Sequence, residues 1–279
     1  MRKDILLLFV LMSVLVSCTA LDDFFGKDDR IKAGKQTTAV TADGQLYNMS
    51  FDLWSKEDGD WVCYDSLADA DQKTVWGSAN ASTSSMGKPT CTPDSVMVAV
   101  EGIGKKAVKL KTQLIDALVV KKLAAGSIFT GSMGTTNLIK MTATLNWGIP
   151  FTMRPKALEG YACYIPKKIS VANKPYTDMK GTLDKGHVFV LLTDWDRQFT
   201  VDPAKDKFVD PEDDHVIGYG KVTFDSIMNG YEKFTLDIEY RDDRTPKFVV
   251  VVASSSAFGD YFTGGEGSTL YLDEFRFIY

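Results

Sequence analysis

Histidine is nearly absent from this chain: His187 and His215 are the only two in 279 residues. Cysteine is scarce at four, and no two stand in a C-x-x-C spacing. A zinc site or a Cys–His nucleophile is therefore not expected, because both need such ligands clustered. No long basic run occurs, and 32 Lys and Arg against 37 Asp and Glu leave a net charge of −5. Nucleic acid is accordingly not an expected partner. Internal repeats, low-complexity tracts and long amphipathic helical patterns are missing as well. What remains is an ordinary globular composition, 44% hydrophobic, 11% aromatic and 25% charged.

The one long apolar run is at the start. Arg2 and Lys3 precede Ile5 to Val16, interrupted only by Ser13, and Leu15-Val-Ser-Cys18 follows. The run is too short to span a bilayer as a mature helix, so residues 1–17 read as a processing segment. They resemble a bacterial lipoprotein signal, with Cys18 as the lipidated residue and the lipid as the only membrane contact. Residues 18–44 are polar and poor in periodic apolar positions, and read as a tether. Residues 45–279, about 235 of them, suffice for one large domain. Cys63, Cys91 and Cys163 remain after Cys18. Three is odd, so at most one bridge forms, and a Cys63–Cys91 pair is left open by the spacing.

From Gln45 onward strand signals dominate. Leu46–Trp54, Val96–Val100, Ala107–Thr112, Ile139–Leu145, Ile149–Met153, Gly160–Pro166, His187–Thr193, Val216–Thr223, Phe234–Tyr240 and Phe248–Ala253 all read as strands. Trp61–Tyr64 and Thr74–Trp76 are shorter. Residues 78–93 read as a loop, and Leu114–Ala125 mixes helical and strand periods. Val188–Leu192 and Phe248–Val252 are continuous apolar runs, suited to strands buried on both faces. In the last strand Leu270 and Leu272 alternate in one register, and Phe275, Phe277 and Tyr279 in the other. The parity change at Asp273-Glu274 predicts a β-bulge. The expected fold is all-β, a sandwich or barrel.

A series of motifs narrows this further. Ser50-Phe-Asp-Leu-Trp54, Thr74-Val-Trp-Gly-Ser-Ala-Asn80, Lys106-Ala-Val-Lys-Leu110 and Leu123-Ala-Ala-Gly-Ser-Ile-Phe-Thr-Gly131 occur in order. Trp147-Gly-Ile-Pro-Phe-Thr-Met-Arg-Pro155, Leu158-Glu-Gly-Tyr161 and the stretch Gly259–Phe275 complete it. Together they resemble the putative carbohydrate metabolism domain family of Bacteroidetes lipoproteins, over residues 45–279. The resemblance implies a jelly-roll β-sandwich like carbohydrate-binding modules and a link to glycans. It also implies anchoring in the outer membrane. Asp22, Asp23, Asp28 and Asp29 resemble the surface-export signal of such lipoproteins. Asp65-Ser-Leu67, Asp94-Ser-Val96 and Asp225-Ser-Ile227 resemble their O-glycosylation acceptor sequences.

Sugar sites place an aromatic ring against the C–H face of a pyranose and polar groups against its hydroxyls. Trp195 lies at the end of an apolar strand between Asp194 and Asp196, where loops carry function. Trp61 follows the turn Asp58-Gly-Asp60. Arg154, Asp260 and Tyr261 are further binding candidates, and Trp54 and Trp76 read as core. Asp194 and Asp196, with Glu159, are the carboxylates available for hydrolysis, although positions two apart on a strand lie only about 7 Å apart. Asp52 and Asp273 resemble the acidic pair that holds a structural Ca2+ in jelly-roll carbohydrate modules. The expected function is carbohydrate binding without chemistry. A glycoside hydrolase, and an adhesion module with a protein partner, are the alternatives.

Overall fold

The computed structural model describes residues 28–279 apart from 36, 100–103, 118–119 and 138–141. The signal segment, Cys18, Asp22 and Asp23 lie outside the described residues. Asp28 pairs with Arg30 at 2.7 Å, and Ile31–Tyr279 forms a separate compact unit.

The strands of that unit are β1 (Ser55–Glu57), β2 (Asp60–Val62), β3 (Trp76–Ser78), β4 (Cys91–Asp94), β5 (Ala107–Lys111) and β6 (Gln113–Ala117). Then come β7 (Val120–Ala124), β8 (Ser127–Asn137), β9 (Thr142–Trp147), β10 (Ile149–Pro150), β11 (Ala157–Ile165) and β12 (Gly186–Thr193). The last are β13 (Phe199–Val201), β14 (Val216–Phe224), β15 (Glu232–Asp237), β16 (Glu239–Tyr240), β17 (Phe248–Ser254) and β18 (Thr269–Ile278). One α-helix of four residues, α1 (Asn80–Thr83), is present among the described residues.

Two antiparallel sheets carry the fold. One runs β13-β9-β8-β17-β12-β14-β16, with β3 beside β8 and β10 beside β17; the other runs β15-β11-β18-β5-β4. From β11 onward the chain passes between the sheets repeatedly, as in a jelly roll. Alternation on each strand explains the sandwich. Val188, Val190 and Leu192 of β12 and Val249 and Val251 of β17 face Leu158, Ala162 and Tyr164 of β11 and Leu270 and Leu272 of β18 in one core. The other faces of β12 and β17 build a second core, with Leu191, Phe248, Val250 and Val252. Every residue of β17 is buried, which is why its sequence is continuously apolar. Each fully buried Val or Leu there contributes about 1.5–3 kcal/mol.

The bulge falls where the parity change predicts. Tyr161 pairs Asp273 and Glu159 pairs Arg276, so Glu274 and Phe275 together oppose Gly160. Glu274 has φ +51°, and a Cβ on Gly160 would meet the Phe275 ring at 2.5 Å. Leu270, Leu272, Phe275 and Phe277 consequently all reach the core.

Several expectations are corrected. Leu46–Trp54 is a series of turns: Asn48 and Phe51 take φ +57° and +56°. The Asn48 amide donates to the Leu53 and Cys63 carbonyls and accepts from the Leu53 N–H, a side-chain closure that replaces ladder bonds. Val96 is 90% exposed because Asp94 caps the Val96 and Met97 amides in a turn; Val100 lies outside the described residues. Leu114–Ala125 falls in the hairpin β6–β7. Residues 78–93 hold α1 and the start of β4. Residues 31–44 are not a free tether. Ile31 exchanges bonds with Gln198, Ala33 bonds the Asp196 carbonyl, and Ala39 is buried in the core. Cys63, Cys91 and Cys163 are buried and unpaired. Among the described residues no helix is long and apolar enough to cross a membrane.

Candidate functional site

The second core does not fill the whole outer face of the larger sheet. Strand register places Phe129, Val252 and Phe189 in one row across β8, β17 and β12, and Ser127, Ser254 and His187 in the next. Trp147 of β9 stands opposite Gly131. Its ring centroid lies 6.4 Å from Phe129 and 5.8 Å from Phe189, and His187 lies 5.4 Å from Phe189. Above this aromatic floor is a cavity of about 150 Å3. Its walls come from α1, from Leu123 of the β6–β7 hairpin and from the segment after β17 that carries Asp260 and Phe262.

Polar side chains are interspersed in this lining, among them Lys122, Ser127, Thr142, His187 and Asp260. Trp147 and His187 are 4% and 8% exposed, yet Trp147 Nε1 and His187 Nδ1 have no hydrogen-bond partner. Burial, aided by Lys221, pushes the His187 pKa down to about 3, so its ring is neutral near neutral pH. Asp260 is exposed as a residue, while desolvation of its carboxyl raises that group to about 6. The Lys122 ammonium sits 3.6 Å from the Phe262 ring centroid, and burial lowers its pKa.

The wall is held by a buried acid. Asp184 is fully buried. Its Oδ2 accepts from Ser256 Oγ at 2.6 Å and the Gly265 N–H at 2.7 Å, and its Oδ1 from the Lys185 N–H at 2.8 Å. Ser256 Oγ joins Thr112 Oγ1, which joins Ser255 Oγ. Beyond the cavity, half-buried rings form a cluster. Tyr176 lies 4.2 Å from Phe258 and 5.2 Å from Tyr261, and Tyr261 lies 4.9 Å from Phe208.

Aromatic rings with polar side chains between them in a concave lining describe a candidate small-ligand pocket. Comparison with known families matches residues 50–278 to the family described as "Putative carbohydrate metabolism domain". The chain belongs to this family. Two solved structures share the family fold. One is a "putative glycoside hydrolase" from Bacteroides thetaiotaomicron, 21% identical, with a TM-score of 0.60 over 84% of this chain and 70% of that chain. The other, a "putative glycoside hydrolase" from Bacteroides vulgatus, is 20% identical, with a TM-score of 0.56 over 81% and 89%. At these identities the likeness is one of fold. No curated protein matches the chain.

Of the candidates read from sequence, Asp260 lines the cavity, and Tyr261, next to it in the chain, packs on Tyr176 and Phe208 outside the lining. Trp61 is elsewhere. It lines a separate cleft of about 310 Å3 with Glu57, Asp58 and Asp60, and Lys56 sits 4.8 Å over its ring. Trp195 is not an exposed platform: it is 9% exposed and stacks on Phe199 at 5.2 Å. Arg154 ties down a loop, donating to the carbonyls of Asp242 and Arg244 and covering the Tyr240 ring at 4.0 Å.

The three carboxylates considered for hydrolysis are engaged in ion pairs. Asp194 contacts His215 Nδ1 and Arg244, each at 2.7 Å. Asp196 pairs with Lys247 and Glu159 with Lys233, both at 2.9 Å. Those lysines hold Asp196 and Glu159 below the usual carboxylate range, opposite to what a general acid requires. Asp52 Oδ1 accepts the Lys105 and Lys106 amides, and Asp273 the Ala99 and Glu274 amides. Burial raises Asp273 to about 7. Among the described residues no group of three or more His, Cys, Asp or Glu side chains is placed to hold a metal ion.

The Asp-Ser-aliphatic sequences share one setting. Ser66, Ser95 and Ser226 are exposed, and the residues after them, Leu67, Val96 and Ile227, are 92%, 90% and 65% exposed. Trp147 and His187 were not singled out from sequence. Trp147 falls there between the strands read at Ile139–Leu145 and Ile149–Met153, and nothing local shows that it pairs with Gly131 and lines a cavity.

Proposed function

We propose that this chain is a cell-envelope lipoprotein whose sandwich domain binds carbohydrate in the cavity on the outer face of the larger sheet, without chemistry. The observation that carries this reading is the cavity itself, lined by the rings of Phe129, Trp147 and Phe262 with Lys122 and Asp260 among them, the combination of stacking faces and polar groups that sugars use. On a glycan array the purified protein in detergent should bind defined glycans, and Trp147→Ala should reduce binding at least about tenfold. A blank array from folded protein would sink this reading and favour a protein partner.

Hydrolysis is the second reading, favoured by the raised carboxyl of Asp260. Asp260 is, however, the only carboxylate among the cavity's lining residues, and glycoside hydrolysis ordinarily uses two. Release of reducing sugar from an array hit, abolished by Asp260→Asn, would establish it over plain binding.

The envelope assignment rests on the lipobox at Cys18, and the exposed turns at Ser66, Ser95 and Ser226 suit O-linked glycans. The intact mass of protein taken from the native membrane should exceed the mass from Cys18 to Tyr279 by a lipid and by sugar. Cys18→Ala should lose the lipid increment, and the triple Ser→Ala variant the sugar. An unmodified mass would refute both assignments.

A further inference from the structure

We propose that the cleft beside the β1–β2 hairpin is a second sugar site, and that it takes an uncharged sugar unit. The inference rests on the carbohydrate reading above and adds a site to it. The cleft measures about 310 Å3, and both strands of the hairpin reach its lining. Trp61 supplies the ring. It is half-buried and lines the cleft, whereas Lys56, 4.8 Å over the same ring, does not. The ammonium covers one face of the indole, while the residue still borders the cleft. An aromatic side chain in the wall of a concave site is what a pyranose stacks on.

The polar part of the lining decides the class of sugar. Glu57, Asp58 and Asp60 line the cleft against one cation, Lys73. Glu57 is engaged: Oε2 accepts from Tyr64 Oη at 2.6 Å, and Oε1 from Lys73 Nζ at 3.0 Å. Asp58 and Asp60 pair with no cation among the described residues. Register puts Asp60 directly opposite Glu57, a placement of like charges that disfavours the strand pair. Asp58 and Gly59 between them take φ +50° and +90°, as a type I′ turn requires. Ionised carboxylates only accept hydrogen bonds, so the ligand that satisfies them is rich in donors. Sugar hydroxyls are such donors. A uronate brings a further negative charge to this lining and is repelled. The neighbouring cavity, with Lys122 beside Asp260, has no such excess. The two sites adjoin: Met133 lines both, and α1 gives Ser82 and Thr83 to the cavity and Asn80 and Ala81 to the cleft.

The experiment uses an array of neutral gluco-, galacto-, manno- and xylo-oligosaccharides beside oligogalacturonates. It compares the full chain in detergent with its Trp61→Ala, Trp147→Ala and double Asp58→Asn, Asp60→Asn variants. A set of neutral glycans should lose at least about tenfold in binding with Trp61→Ala and hold with Trp147→Ala; glycans held by the cavity should show the reverse. The double variant should fold, because Asn-Gly is a preferred type I′ sequence. It should weaken the same neutral glycans and remove the discrimination against oligogalacturonates. If Trp61→Ala does not fold, the double variant decides alone. Glycan binding that neither cleft variant changes overturns this inference while leaving the cavity reading intact. Oligogalacturonates bound as tightly as neutral glycans, and lost with Trp61→Ala, overturn the assignment to an uncharged sugar. Binding of no glycan by folded protein overturns both readings.

Discussion

Asp184→Ala should destabilise the domain by about 3–5 kcal/mol, the range for leaving buried charged-group partners uncompensated. The carboxylate is fully buried and accepts from Ser256, Gly265 and Lys185. Alanine strips the acceptor from all three donors and leaves a void beneath the Gly264–Gly267 loop. Asp184→Asn should cost less, about 1–3 kcal/mol, because one amide oxygen still serves the Ser256 and Gly265 side. Burial raises the Asp184 pKa, and its hydrogen bonds oppose that rise. Chemical denaturation of both variants measures this; an Asp184→Ala protein within about 1 kcal/mol of the parent would show that the network is dispensable. Because Ser256 also lines the cavity, the Asn variant should lose ligand affinity as well.

Gly131→Ala should cost about 3 kcal/mol or more and disable the cavity along with the fold. Gly131 has φ +129°, a region that L side chains rarely adopt, and a Cβ there would stand 2.0 Å from the Asn146 carbonyl oxygen. Backbone lies on both sides of that contact, so relief requires β8 and β9 to separate. The strain of the dihedral is about 1–3 kcal/mol alone, and the clash adds to it. Trp147 pairs with Gly131, so its indole moves with the strand. Thermal unfolding and ligand titration of the variant would test this. Parent-like stability would mean that the two strands yield freely.

The strands were legible wherever burial imposed a pattern. Val188–Leu192 and Phe248–Val252 announced strands covered on both faces, and the parity change at Asp273-Glu274 located the bulge to the residue. Leu46–Trp54 misled because Met49 and Phe51 are buried from turns closed by Asn48, which a period-two pattern cannot distinguish from a strand. Of the residues lining the candidate cavity, the sequence singles out Asp260. Asp260 and Tyr261 stand in a Gly-rich loop, where exposed functional groups are sought. Trp195 also met the rule of strand-end loops, but Phe199, four residues on, folds back to cover it. Trp147 and His187 carried no signal, since their place in the lining depends on long-range strand pairing, which local sequence does not show.

The central position of β17 has a consequence for how the chain reaches its folded state. Phe248-Val-Val-Val-Val-Ala253 has high β-propensity, no charge and no proline, the composition of segments that stack into amyloid-like assemblies. In the finished sheet β8, β10 and β12 occupy its edges and the two cores its faces. Those neighbours are distant in sequence, so the segment stays uncovered until long-range pairing closes over it, and such pairing is slow. Lys247 stands just before the run, and Arg241, Asp242, Asp243 and Arg244 lie close upstream, charges that oppose self-association in the unfolded chain. The strand buried along its whole length in the native domain is thus one in need of protection before folding is complete.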